Sequence, residues 1–260
     1  MVRLAAALVI TVAGAAAAAA AGGPQRVVSL NLCTDQLAML IAAPGQLRSV
    51  SWLAADPSVS LMPDQARATG LNHGSAEEVF LQAPDLVLAG TWSTGPTTQM
   101  LRRLGLRVET LPPATSIAGI RTGIVQMGAL LDQPARAAQV LADFDAALAA
   151  LPKGAPRRAT TYGANGYASG ADTLSGDVMR RAGLVLLAEA NGGPLALEQL
   201  VMAAPDLIVT GSRYPSPSRA EAVLDHPAFA AIPALRATVP DRDWICGLPA
   251  VAGTAARLAR

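Results

Sequence analysis

The chain holds few residues able to do chemistry. Two histidines, His73 and His226, and two cysteines, Cys33 and Cys246, are its whole stock of imidazole and thiol metal donors. A bare Zn²⁺ or Mn²⁺ site needs several such groups converging with carboxylates, and two histidines in separate halves do not supply one. No metal site is expected. His73 stands in the loop Leu71-Asn72-His73-Gly74, from which it could reach a cleft, and His226 precedes Pro227 in a polar turn. No G-x-S-x-G elbow, no P-loop and no G-x-G-x-x-G after a strand occurs. A nucleophile with a placed base, which covalent catalysis requires, is not found either. The expectation is a binding protein and not an enzyme.

The amphipathic aromatic residues are placed unevenly. In open parallel sheets, ligands bind beyond the carboxyl ends of the strands. Trp52, Trp92, Trp244, Tyr162, Tyr167 and Tyr214 all fall at such positions, as do Asn31 and Arg213. Phe80, Phe144 and Phe229 fall instead within helical patterns and read as core. A shared aromatic-lined cleft would suit a bulky ligand. The competing reading is that Trp and Tyr favour strand ends and loops for their own sake. Cys33 follows the first predicted strand and Cys246 the last, so both can face one cleft. Three readings stand open for this pair: a disulfide, which an oxidising compartment permits, two free thiols, or contact with the ligand.

Alternating strand and helix patterns position these residues. Residues 26–30, 48–52, 85–89 and 107–111 read as strands, with helices over 34–43, 75–82 and 97–104 between them. Thr34 or Asp35 is the expected N-cap of the first helix. The second half repeats the scheme, with strands at 159–162, 206–210 and 236–239 and helices at 175–182, 195–203 and 250–260. Continuous apolar strands separated by helices predict an α/β fold whose parallel sheets are covered on both faces. Between the halves lies helical sequence alone. Ser116 can cap a helix to Leu131, and Pro134 suits the first turn of a second helix ending before Pro152.

Residues 1–25 are of another kind. One arginine, a short apolar stretch and several A-x-A sites make a secretory leader. The apolar part is too short for a membrane span of about twenty residues, and no cysteine near it offers a lipid anchor. The predicted organisation is a cleaved signal peptide (1–25), an N-terminal lobe (26–115), connecting helices (116–152) and a C-terminal lobe (153–260). The formal net charge of +1, with no long charge run, implies no nucleic-acid partner.

One segment is written twice. Residues 77–90 (EEVFLQAPDLVLAG) and 198–211 (EQLVMAAPDLIVTG) are identical at six of fourteen positions, and most of the rest exchange one apolar residue for another. With the opening RVVSLNLCTDQLAMLI, the long connecting helix, the segment YGANGYASG and the closing DWICGLP, this order resembles the periplasmic binding proteins that serve iron-complex and cobalamin ABC importers. The resemblance covers nearly the whole chain after the leader. It implies two Rossmann-like lobes with parallel sheets, joined by a long rigid helix, with small hinge motion and ligand held between them.

That resemblance also implies a role and a site. The role would be capture of a metal chelate, a ferric siderophore or cobalamin, in the periplasm and delivery to a permease dimer in the inner membrane. Haem is the alternative cargo, and an exported α/β enzyme using the same cleft is the alternative class. No cofactor is implied beyond the chelate itself. Glu77 and Glu198 would dock into arginine pockets of the permease. Trp92 stands where cobalamin members also place a tryptophan, and Trp244 sits in a similar Asp-Trp pair. Arg213 and Arg242 are the candidates for contacting an anionic chelate. Tyr162, Tyr167, Tyr214 or His73 would compete as the axial ligand of haem. The expected ligand contacts are thus Asn31, Cys33, Trp52, Trp92, Tyr162, Tyr167, Arg213, Tyr214 and Trp244.

Overall fold

The computed structural model describes residues 22–91, 95–213, 216 and 218–260. The greater part of the expected leader, together with Trp92 and Tyr214, lies outside them. The first sheet is built from β1 (Val27–Ser29), β2 (Leu47–Ser51), β3 (Leu71–Asn72), β4 (Leu86–Gly90) and β5 (Val108–Leu111). Helices α1 (Leu32–Ile41), α2 (Pro63–Thr69), α3 (Ala76–Leu81) and α4 (Gly95–Arg103) alternate with them. All pairings are parallel, in the order β3-β2-β1-β4-β5. β1 and β4 are the central strands, and Val27, Val28, Leu86, Val87 and Leu88 are fully buried in them, as continuous apolar runs in a covered parallel sheet should be.

Helix α5 (Ile117–Leu130) and helix α6 (Pro134–Ala149) follow without a strand between them. Ser116 caps α5 through Gly119 N, and Pro134 opens α6. The 16 residues of α6 reach about 24 Å. The two helices pack closely: a Cβ on Gly128 would lie 2.4 Å from Ala137 Cβ. Gly128→Val is therefore expected to cost about 1–3 kcal/mol by overpacking, readable as a lower denaturant midpoint.

The second sheet contains β6 (Arg157–Thr161), β8 (Leu184–Leu186), β10 (Leu207–Thr210) and β11 (Leu235–Thr238), parallel in the order β11-β10-β6-β8. Strands β7 (Tyr167–Ala168) and β9 (Gly193–Pro194) form a small antiparallel pair beside it. Helices α7 (Leu174–Arg181), α8 (Leu197–Ala203), α9 (Pro227–Ala230) and α10 (Val251–Leu258) complete the chain. α6 packs on α1 of the first lobe and on α10 of the second. One apolar cluster runs from Val27 and Leu86 through Ile120 and Phe144 to Ala159, Val209 and Val251. The connecting helices are therefore part of a shared core.

The twice-written segment has a structural cause. In each copy its aspartate ties the incoming strand to the neighbouring one. Asp85 accepts from Gln25 N (2.8 Å) and Arg26 N (2.9 Å), and Asp206 accepts from Arg158 N (2.7 Å). Ahead of each Pro-Asp stands an alanine in the left-handed region, Ala83 (φ 46°) and Ala204 (φ 42°). That conformation disfavours residues with a Cβ, yet both copies keep it.

Two expectations fail here. The cap of α1 is Asn31, whose side chain accepts from Cys33 N at 3.0 Å; the helix starts a turn earlier than Thr34 or Asp35 because Asn31 is itself a good cap. Phe80 is not core but about half exposed, while Phe144 and Phe229 are buried. Strands β3, β8 and β9 also escaped the patterns because two or three residues are too few to show a period; so did helix α2, which buries Ala66 alone and shows no apolar stripe.

Candidate functional site

A parallel sheet opens a crevice where its strand order reverses. In the first sheet that point lies between β1 and β4, and in the second between β6 and β10. A cavity stands at each. The first, about 420 Å³, is lined by Asn31 and Cys33 after β1, Gly90 and Thr91 after β4, the 111–115 segment after β5, and Gly119, Gly123 and Gln126 of α5. The second, about 480 Å³, is lined by Thr161, Tyr162 and Gly163 after β6, Gly211 and Ser212 after β10, and Tyr167, Ser169, Asp241 and Trp244. Ala114 and Ile245 border both, so the chambers meet in one inter-lobe cleft. The closing glycine of each repeated segment, Gly90 or Gly211, sits at the wall.

The floor between the lobes is tied. Cys33 and Cys246 are joined as a disulfide, with their Cα atoms 5.0 Å apart and 213 residues between them in sequence. Cys33 borders the first chamber, and Cys246 is buried beside it in the shared core. Arg242 Nη1 donates to Pro57 O (2.9 Å), and Ile117 N donates to Asp177 (2.7 Å), so the second lobe also holds the first and its connecting helix by polar contacts. Gly247 lies against Ala114, where a Cβ would come within 2.3 Å. Only a glycine lets these two cleft walls approach so closely.

The expected contact residues divide. Asn31, Cys33, Tyr162, Tyr167 and Trp244 line the chambers. Trp52 lines neither and is 50% exposed, because β2 lies on the far side of β1 from the reversal point. Arg213 is not a free cation: it pairs with Asp225 (2.7 Å) and Glu221 (3.6 Å). Arg242 is occupied at Pro57. Among the described residues the charged side chains lining the chambers are Glu221 and Asp241, both acidic. Tyr162 is buried, stacks on Phe229 (ring centroids 5.4 Å apart), and its hydroxyl bonds Leu195 O. Burial, and then the nearby Glu198 carboxylate, raise its pKa, which opposes the tyrosinate an axial haem ligand would provide. His73 is exposed beside Glu78 and lines neither chamber.

Sequence reasoning missed the walls made by Pro112, Pro113, Ala114 and Gly247. The strand-end rule applied to β5 would have found the first three; no sequence signal marks the glycine. No group of three or more His, Cys, Asp or Glu among the described residues is arranged to hold a metal ion.

The fold that holds this cleft has counterparts among known proteins. The pattern of the family described as periplasmic binding protein matches residues 27–238. The chain belongs to that family. A cobalamin-binding protein of Halobacterium salinarum (strain ATCC 29341 / DSM 671 / R1) is 28% identical over 204 residues, which make up 72% of this chain and 54% of that protein. The chain thus spans about half the length of the curated relatives it matches. Among solved structures, a periplasmic solute-binding protein of Staphylococcus epidermidis superposes with a TM-score of 0.75 at 19% identity, covering 91% of this chain and 97% of that one. A periplasmic heme-binding protein of Vibrio cholerae gives 0.74 at 19% identity, covering 90% and 97%. At such identities the superpositions establish the two-lobed α/β fold. Family members of this kind are binding proteins, in line with the poverty of catalytic groups here.

Proposed function

We propose that this chain is the exported substrate-binding component of an ABC importer and that its cargo is a cobalamin-like metal chelate. The observation that carries the reading is the cleft: two chambers at the reversal points of two sheets, facing each other across a covalently tied floor. Its lining is apolar and hydrogen-bonding, with Asn31, Thr91, Thr115 and Gln126 in the first chamber and Ser169, Ser175 and Ser212 in the second. That suits a large ring rimmed with amides. Anionic siderophores and the propionates of haem would want free cations, which the described lining does not offer. The curated relatives called cobalamin-binding support the same choice.

Export is supported by the leader-like composition of the first residues and by the family. Among the described residues no helix is long and apolar enough to cross a membrane. Delivery to a permease dimer rests on Glu77 and Glu198, each exposed in the first turn of its helix, α3 and α8. Paired carboxylates on pseudo-equivalent lobes match a two-fold-related cationic receptor.

Cyanocobalamin at about 100 times its dissociation constant is expected to stabilise the protein by about 2.7 kcal/mol. For a chain of this size that raises Tm by about 5–10 °C. Hemin and a ferric hydroxamate are the comparison ligands in the same thermal scan. A shift with hemin or the hydroxamate alone would replace the cargo, and no shift with any of the three would remove the chelate reading.

A further inference from the structure

The repeated segment carries a feature that neither folding nor cargo capture uses. In each copy one residue of the short helix is fully buried, Val79 in α3 and Leu200 in α8. The next two are apolar and exposed: Phe80 and Leu81 in the first lobe, Val201 and Met202 in the second. Leu81 is 83% exposed and Met202 84%. Single exposed apolar residues need no explanation. Here, though, the pair recurs at equivalent places although the residue types differ, and each pair sits on the helix that carries the exposed glutamate. The left-handed alanine that ends each helix, Ala83 or Ala204, turns the chain sharply into its buried strand. The apolar pair is left standing at the surface.

We propose that Phe80-Leu81 and Val201-Met202 are paired apolar anchors that seat in two equivalent sockets of the permease dimer, each socket lying beside a cationic pocket for Glu77 or Glu198. This rests on the transporter reading and deepens it: the carboxylates set orientation, and the apolar pairs supply the buried contact. A repeated patch on two pseudo-equivalent lobes fits a partner with two-fold symmetry. A second copy of this chain fits poorly, because patch-to-patch contact would bring glutamate against glutamate. A small apolar centre ringed by polar groups is also where binding energy concentrates in protein interfaces.

The test uses the full mature protein and the ABC permease of its source organism reconstituted in nanodiscs, with affinity read by surface binding. Leu81→Ser and Met202→Ser are each expected to weaken permease binding about tenfold, and together about a hundredfold, with cargo affinity and Tm unchanged. Leu81→Met with Met202→Leu should restore binding. Glu77→Ala with Glu198→Ala should also abolish it and stop uptake. If the serine pair binds like the parent while the alanine pair does not, the anchors are refuted and the docking reading stands. If both pairs bind like the parent, both readings fall. A parent protein that dimerises in light scattering, with the serine pair monomeric, would assign the patches to self-association and overturn the proposal.

Discussion

Reduction of the Cys33–Cys246 bond is expected to lower the unfolding free energy by about 5 kcal/mol. The bond closes a loop of 213 residues, and in the chain-entropy account so long a loop confines the unfolded chain about that strongly. Residual compactness of the reduced chain brings the figure toward about 3 kcal/mol. At about 2–4 °C per kcal/mol for a chain of this size, Tm should fall by roughly 10 °C. Cys33→Ser with Cys246→Ala should reproduce the loss without reductant, the alanine avoiding a polar group at a buried site. Intact mass before and after reduction, together with paired thermal scans, checks the result. Equal melting of the oxidised and reduced protein would show that the inter-lobe core alone fixes the lobes. The bond also borders the first chamber, so cargo affinity should weaken as the tied floor is released.

The second large effect is a pH dependence centred on Asp35. This carboxyl lies in the first turn of α1 and is fully buried. Burial pushes its pKa from 3.8 up to about 7, against the opposing hydrogen bonds of Ser29 and Ser51. None of the groups favouring its charge is a cation. Because the folded pKa is raised, the stabilising contribution is complete below about pH 4 and is lost as pH rises through about 7. Asp35→Asn keeps an acceptor for Ser51 and removes the charge. The variant should match the parent near pH 4 and exceed it above pH 8, by an amount on the order of 4 kcal/mol. Urea unfolding of both proteins at several pH values reads this directly. A difference that does not change with pH would show that the carboxyl ionises in the fold at its ordinary value.

Much of the architecture was legible because it is local and periodic. The apolar runs at 27–29, 86–90 and 207–210, the Ser116 cap and the Pro134 start mark elements through residues within one or two turns of each other. The repeated segment announced two similar lobes, since an Asp-led apolar strand needs the same neighbours in both. The cleft was half legible. Knowing that ligands sit at strand ends placed Asn31, Cys33, Tyr162, Tyr167 and Trp244 on its walls, but it also placed Trp52 there. Which strand ends matter depends on strand order, and order is a property of the assembled sheet.

The repeated segment shows where that boundary falls. Its strand, its Pro-Asp turn and the membership of two related lobes are written in residue types, because burial and backbone pairing act through the local pattern. Arg213 was readable as a free cation until Glu221 and Asp225 were seen to face it, and Phe80 as core until its helix was seen to bury Val79 alone. Such outcomes hang on contacts between distant segments, whose distances no one-dimensional pattern encodes. The sequence by itself determined a two-lobed α/β binding protein. The tertiary structure decided which side chains meet across the cleft, tied its floor through Cys33 and Cys246, and left Leu81 and Met202 bare.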